Sequence, residues 1–348
     1  MPHREYSPSG PRIVVIGGGT GTSTMLTGLK RYPELQLFAI PSGADNGGST
    51  GILRDELGVL PPGDFLQCLC ALATDERLRQ VIAFRFATGT FEGHTVGNVL
   101  LAALEKVCGD PLLAASEAHR IFQVQGRVIP VSACASNLYA ELEDGTVIEG
   151  EHAIDQPTGE RKPIKQCFLS PPSQATTEAI TTLRRAHAIL FGPGDLFTSS
   201  IPPLLVDGVG DAIAECRGHR ILTVNLMTKR GETEYYTAQR FCDVINQYIA
   251  PAKINAVIVN NAPLPEAILA EYAKAGDQPV QDDLGDSAPF LVHRAPLISG
   301  RPTAPVRGDR VRRSLLRHDP HLLATAVLAV LQALSARDNQ PLTTVSPS

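Results

Sequence analysis

The sequence predicts an α/β fold: a mostly parallel sheet with helices on both faces and a small antiparallel β-hairpin excursion. Three observations carry this. Short apolar runs alternate with helical patterns, the order that builds parallel sheets. The run Ile13-Val14-Val15-Ile16 is apolar throughout, as a strand buried on both faces must be. Asn137–Glu143 alternates apolar with polar, Asp144-Gly145 marks a tight turn, and Thr146–Glu151 alternates back, which is a hairpin signature.

Each element follows from the same patterns. Strands are expected at Arg12–Ile16, Gln36–Ile40, Val128–Ser132, Ile189–Phe191, Ile221–Asn225 and Ala256–Asn260. A helical pattern runs from Thr24 to Lys30. Further helices are expected at Asp64–Ala73, Glu76–Phe86, Val96–Val107, Pro111–Phe122, Thr176–Ala186, Gly210–Cys216, Tyr235–Ile249 and His321–Ala336. Lys165–Leu169 supplies a third strand to the hairpin. The Asp-rich stretch Gly276–Ser287 reads as a surface loop. The organisation expected is a flexible arm at 1–10, one nucleotide-binding α/β domain at 11–336 with the excursion at about 137–169, and a flexible Thr/Ser/Pro tail at 337–348.

At 348 residues the chain buries a sizeable core. Its net charge of −5 argues against a broad nucleic-acid surface, because neutralising phosphates needs a basic excess. The 7 Cys are scattered and contain no CxxC, the usage of reduced thiols in a cytoplasmic protein. The most apolar long stretch, Leu322 to Leu334, is read as a core-facing helix too short to span a bilayer, so no membrane partner is expected.

Chemistry is expected in the loops after the strands. Gly17-Gly18-Gly19-Thr20-Gly21-Thr22 lies between a strand and a helix, where unpaired N–H groups and a partial positive charge attract phosphate. It departs from a dinucleotide fingerprint: the third glycine position is Thr22, and no acid ends the second strand to hold a ribose. The second loop offers Asp45 for a metal-bound water or ligand hydroxyl, and Asn46, Ser49 and Thr50 for neutral hydrogen bonds. The lesser alternative from the same residues is a flexible solvated loop capped by Asp and Asn. Arg54 faces two readings, a phosphate contact or an ion pair with Asp55 or Glu56. Asn98 lies in the first turn of a helix after Gly93-His94, a position from which an amide can enter a pocket, and His94 is more readily structural than catalytic. The third loop brings Gly192, Gly194, Asp195 and Thr198, and the fourth Asn225, Thr228 and the cations Lys229 and Arg230. In a parallel sheet all four loops open on one rim. No Gly-x-Ser-x-Gly elbow, HExxH or Cys/His pair names a nucleophile.

Gly17–Gly21, Asp45–Gly51, Glu56-Leu57-Gly58-Val59-Leu60-Pro61-Pro62-Gly63-Asp64, Gly97-Asn98, Gly192-Pro193-Gly194 and Asn225–Thr233 together resemble the gluconeogenesis-factor (YvcK-like) family. That family is related to the 2-phospho-L-lactate transferases (CofD-like), and the resemblance runs from Arg12 to Asp319. It implies a Rossmann-like fold with a nucleotide at the glycine-rich edge. The regulator branch implies a UDP-sugar ligand, UDP-N-acetylglucosamine or UDP-glucose. It also implies control of carbon flow into cell-wall precursors and of cell shape, a protein target in that synthesis, and a homo-oligomer, expected as a dimer. The transferase branch implies Mg²⁺-assisted movement of a phospholactyl group from a nucleotide-activated donor to a deazaflavin-like acceptor, with Asp45 as the metal or acceptor-hydroxyl residue. The third loop resembles the regulator pattern. Arg317-His318-Asp319 also resembles the regulators, which makes Arg317 a candidate contact to diphosphate or sugar. The chain departs from the family at Asn46, where a second aspartate is usual, and at Leu66-Gln67, where an Arg-Asn pair is usual.

Overall fold

A computed structural model describes residues 10–299 and 315–338. Most of the expected arm and tail lie outside the described residues. Among the described residues ten strands form two sheets: β1 (Arg12–Ile16), β2 (Gln36–Ile40), β3 (Arg127–Val128), β4 (Asn137–Leu142), β5 (Val147–Glu149), β6 (Ile164–Ser170), β7 (Ala188–Phe191), β8 (His219–Thr223), β9 (Ala256–Asn260) and β10 (Leu291–Ala295). The helices are α1 (Gly19–Leu29), α2 (Gly48–Leu57), α3 (Gly63–Leu72), α4 (Glu76–Ala83), α5 (Val96–Cys108), α6 (Pro111–Phe122), α7 (Glu151–Asp155), α8 (Thr177–Arg184), α9 (Val209–Glu215), α10 (Ala238–Tyr248), α11 (Glu266–Ala275) and α12 (Pro320–Arg337).

The large sheet has the order β10-β9-β8-β7-β1-β2-β3, and every pairing in it is parallel. Side chains on a strand alternate between faces, so β1 feeds two cores. Ile13 and Val15 join Met25, Leu29, Leu69 and Val327 on one face. Val14 and Ile16 join Phe191, Leu183, Ile213 and Phe241 on the other. Helices α1, α3 and α12 cover the first face, and α8, α9, α10 and the small sheet cover the second. At Gly28 a Cβ would meet the Pro320 carbonyl at 1.9 Å, so α1 and α12 approach as closely as they do only because that position is glycine. Helix α12 is long and apolar enough to cross a membrane by length and composition, and its buried side chains face α1 and the sheet.

The small sheet, order β5-β4-β6, is antiparallel, as the hairpin pattern predicts. Gly145 turns with φ +86, and the Thr146 amide donates to Asp144.

Several boundaries differ from expectation. The strand expected at Val128–Ser132 stops at Val128. Ile129 still donates to Ala39, but Pro130 has no N–H to continue the ladder. The helix expected from Tyr235 starts at Ala238, because Tyr235 sits at φ +61 and Thr237 caps the helix. The second loop ends at Gly47, and residues expected to be loop form α2, closed by left-handed Gly58. β1, β2 and β9 fall on the expected residues, β7 starts one residue early, and β8 runs His219–Thr223 where Ile221–Asn225 is expected.

Candidate functional site

The four polar loops converge at the carboxyl edge of the large sheet. They follow β1, β2, β7 and β8, and the strand order reverses between β1 and β7, where open parallel sheets hold ligands. Two adjoining cavities of about 450 Å³ and 700 Å³ open there. Thr20, Gly21, Asp155, Gly194, Asp195 and Arg317 line both, so the two form one cleft.

The glycine loop is built against protein acceptors. Gly17, at φ +134, donates its amide to Ile40, and Gly18 donates to Ser199. The Gly19 amide donates to the Asp64 carboxylate at 2.7 Å. Asp64 is thus the anion already seated at the α1 N-terminus. Glycine at 18 leaves room for the Asp64 carboxylate, since a Cβ there would lie 2.0 Å from Asp64 Oδ2 and force it to move. Gly19, Thr20 and Gly21 line the cleft, and Thr22 is fully buried beneath it.

In the second loop Asp45 lines the larger cavity and accepts from the Gly47 amide at 2.9 Å. Burial pushes its pKa up, against the pull of that amide and of Thr50. Glycine at 63 lets the start of α3 approach, since a Cβ there would lie 2.4 Å from Asp45 Oδ2. Asn46 turns elsewhere: its side-chain oxygen accepts from the His152 amide in the insertion. Ser49 and Asn98 meet in the larger cavity, with Asn98 donating to Ser49 Oγ at 3.1 Å and His94 Nδ1 2.9 Å from the same hydroxyl. His94 is therefore a structural partner of Ser49. Arg54 pairs with Asp55 at 3.2 Å.

The third and fourth loops are pinned to each other. The Asn225 side chain accepts from Gly194 N at 3.2 Å and donates to Gly194 O at 2.8 Å. Gly192 packs under Thr223. Thr198 is buried on the cavity wall with its hydroxyl unpartnered among the described residues. Thr228 holds the Gln278 segment through its amide and its hydroxyl.

Lys229 does not extend into the cleft as an open cation. Its ammonium pairs with Asp155, with Asp195 at 2.8 Å and with Glu232 at 3.0 Å. Burial works against that charge, but Glu232, Asp195 and Asp155 outweigh it and hold the pKa well above the usual lysine value. Glu232 is pushed up to about 7 by burial, with Lys229 opposing. The Lys229–Asp155 pair also fastens the insertion onto the fourth loop. Arg161 reinforces it, donating to Gly231 O at 2.6 Å and to Ala153 O and Ile154 O. Asp155 and Glu151 thereby reach the cleft from the hairpin excursion, which sequence reasoning did not assign to the site. Their only signal is acidic spacing after an alternating strand. Glu151 is pushed up to about 10 by burial and by the neighbouring Asp45, Asp155 and Asp64 carboxylates.

Of the residues the sequence nominates, Gly19, Thr20, Gly21, Asp45, Ser49, Asn98, Gly194, Asp195, Thr198, Asn225, Thr228, Lys229 and Arg317 line the cleft. Gly17, Gly18, Thr22, Asn46 and Gly192 instead shape the loops that form it.

Comparison with known proteins places the chain. Residues 13–295 match the family 2-phospho-L-lactate transferase CofD. The gluconeogenesis factor of Bacillus subtilis is 35% identical over 327 residues, covering 92% of this chain and 98% of that one. A putative gluconeogenesis factor of Thermotoga maritima is 38% identical, covering 81% and 90%. A solved UPF0052-family structure from Bacillus halodurans superposes with a TM-score of 0.83 at 33% identity, covering 92% of this chain and all of that one. The chain belongs to the CofD family, on the side of the gluconeogenesis factors.

Proposed function

We propose that the cleft binds a nucleotide sugar, UDP-N-acetylglucosamine or UDP-glucose. The bound protein then acts, without turnover, as a cytoplasmic regulator of carbon flow into cell-wall precursors and cell shape. The observation that carries this is the meeting of four loops around the first turn of α1 in a cleft of two adjoining halves. Two halves suit a ligand with a base at one end and a sugar at the other. The diphosphate belongs between them, beside Gly21 and Arg317, because Lys229 is committed to its carboxylates. The names of the bacterial relatives support a role in gluconeogenic carbon flow.

Isothermal titration against UDP-N-acetylglucosamine, UDP-glucose, GDP and NAD tests the reading. One site per chain for a UDP-sugar is expected, and no heat with either UDP-sugar removes it.

A second reading, a phospholactyl-type transferase, rests on Asp45, a half-buried carboxyl in the same cleft. Asp45 has Glu151 and Asp64 as carboxyl neighbours in the cleft, while Asp155, Asp195 and Glu232 surround the Lys229 ammonium. If Mg²⁺ binds, Asp45 with Glu151 would hold it and it would supply charge to a phosphoryl oxygen. Product from a nucleotide-activated phospholactate and a deazaflavin alcohol, lost in Asp45→Ala, would promote this reading over the first.

A further inference from the structure

A separate cavity of about 70 Å³ lies behind the second loop, walled by Pro61, Pro62, Phe65, Leu101, Val131 and Pro202. No residue lining it lines the cleft. Its walls are mostly apolar. Four buried serines line it; Ser42 and Ser132 accept from the Ala44 and Cys134 amides, which leaves Ser136 at 5% exposure and Ser173 at 3%. Neither Oγ has a hydrogen-bond partner among the described residues. A buried hydroxyl left unpaired is costly, so a group that satisfies it is expected in the cavity. The one carboxyl in the wall, Glu105, receives the Leu60 amide at 3.1 Å on both oxygens, which fixes it as part of the frame.

We propose that this cavity is a second ligand site, for a small neutral ring bearing a hydroxyl. The space corresponds to about five water-sized spheres, which admits a body of roughly six or seven heavy atoms. Proline, leucine and phenylalanine walls favour an apolar ring. A single hydroxyl on it donates to one serine and accepts from the other. A charged ligand is disfavoured: among the described residues no cationic side chain lines the cavity, and an anion would face Glu105.

The site is also placed to affect the cleft. Its wall includes Ala44, next to Asp45, and Pro62, which with Gly63 leads into Asp64. A ligand there touches the segments that carry two of the cleft carboxylates, Asp45 and Asp64. The binding itself does not depend on what the cleft takes.

Phenol is the probe, with benzoate as the charged control, on the full chain. Saturation-transfer NMR is expected to show phenol contacts, no benzoate contacts, and persistence of the phenol signal when saturating UDP-N-acetylglucosamine is added. Ala114→Leu fills the cavity from α6 and weakens phenol at least about tenfold. Ser173→Ala weakens phenol relative to toluene, and its thermal melt shows whether the fold is kept. Phenol also slows alkylation of Cys134, an exposed thiol on the cavity wall, read by peptide mass spectrometry. The proposal is overturned by absent phenol contacts, by equal phenol binding in folded Ala114→Leu, or by ordered water alone on Ser136 and Ser173 in a phenol-soaked crystal. Loss of UDP-sugar heat with phenol binding intact would strike the nucleotide reading alone.

Discussion

Lys229 shows how much one side chain depends on distant neighbours. Glu232 lies three residues away and is visible in the sequence, but Asp155 arrives from 74 residues upstream, on an element whose fold gives no local sign of the encounter. A lysine after a strand reads as an open phosphate ligand until that encounter is known. Lys229→Met leaves three carboxylates around an apolar chain, one of them wholly buried. Breaking a buried pair in this way is expected to cost about 3–5 kcal/mol, read by urea unfolding. Glu151 gives the opposite kind of prediction. Its folded carboxyl keeps a proton up to about pH 10, while the unfolded chain releases it near 4.5. The unfolded state therefore binds fewer protons in that window, and stability falls as pH rises through it. Glu151→Gln removes this slope, and at pH 8.5 the variant is expected to exceed its parent by about 1–3 kcal/mol in urea unfolding. His318 acts at the acid end. Burial depresses it to about 4, so its contribution to stability is lost as pH falls from 6.5 toward 4.

Elements were legible where periodicity was clean. The strands of β1, β2, β7 and β9 carry unbroken apolar runs, and the hairpin carries a clean alternation. Helix α2 was hidden because Gly48, Gly51 and Ser49 are poor helix formers, and tertiary packing overrides them. Strand β10 was missed because His293 and Arg294 interrupt its apolar pattern at the sheet edge. At this scale the insertion matters most. Arg161 holds the backbone of α7 and Gly231 together, so Arg161→Ala is expected to speed hydrogen exchange across 151–161 and 229–233 while the large sheet stays protected. Helix α1 offers a sharper test. A Cβ on Gly21 would lie 1.8 Å from the Pro193 carbonyl. Gly21→Ala must therefore push the third loop away from α1. It is expected to lower stability by about 1–3 kcal/mol and to abolish UDP-sugar heat.

For the molecule as a whole, the rim was the most legible feature. Parallel strands deliver their following loops to one edge whatever the detail of each loop. The insertion was not, because a hairpin pattern says nothing about where the hairpin packs. If the cleft holds one ligand across both halves, UDP-N-acetylglucosamine is expected to slow hydrogen exchange in Thr20–Gly21, Gly194–Asp195 and Thr228 together, with one concentration dependence. Protection confined to a single loop would speak against a shared ligand.

The pairing of β1 with β7 has a consequence for synthesis. Ile13 meets Ala188 across 175 residues of chain, and the rim needs loops from both sides of that junction. A nascent polypeptide that has emerged only through β6 owns the glycine turn and Asp45 but neither Gly194 nor Thr228. If the rim binds as proposed, competence comes late in translation, after the ribosome has released well over half of the chain. A stalled-ribosome series should show ligand capture switching on only once β8 and the segment behind it have cleared the exit tunnel.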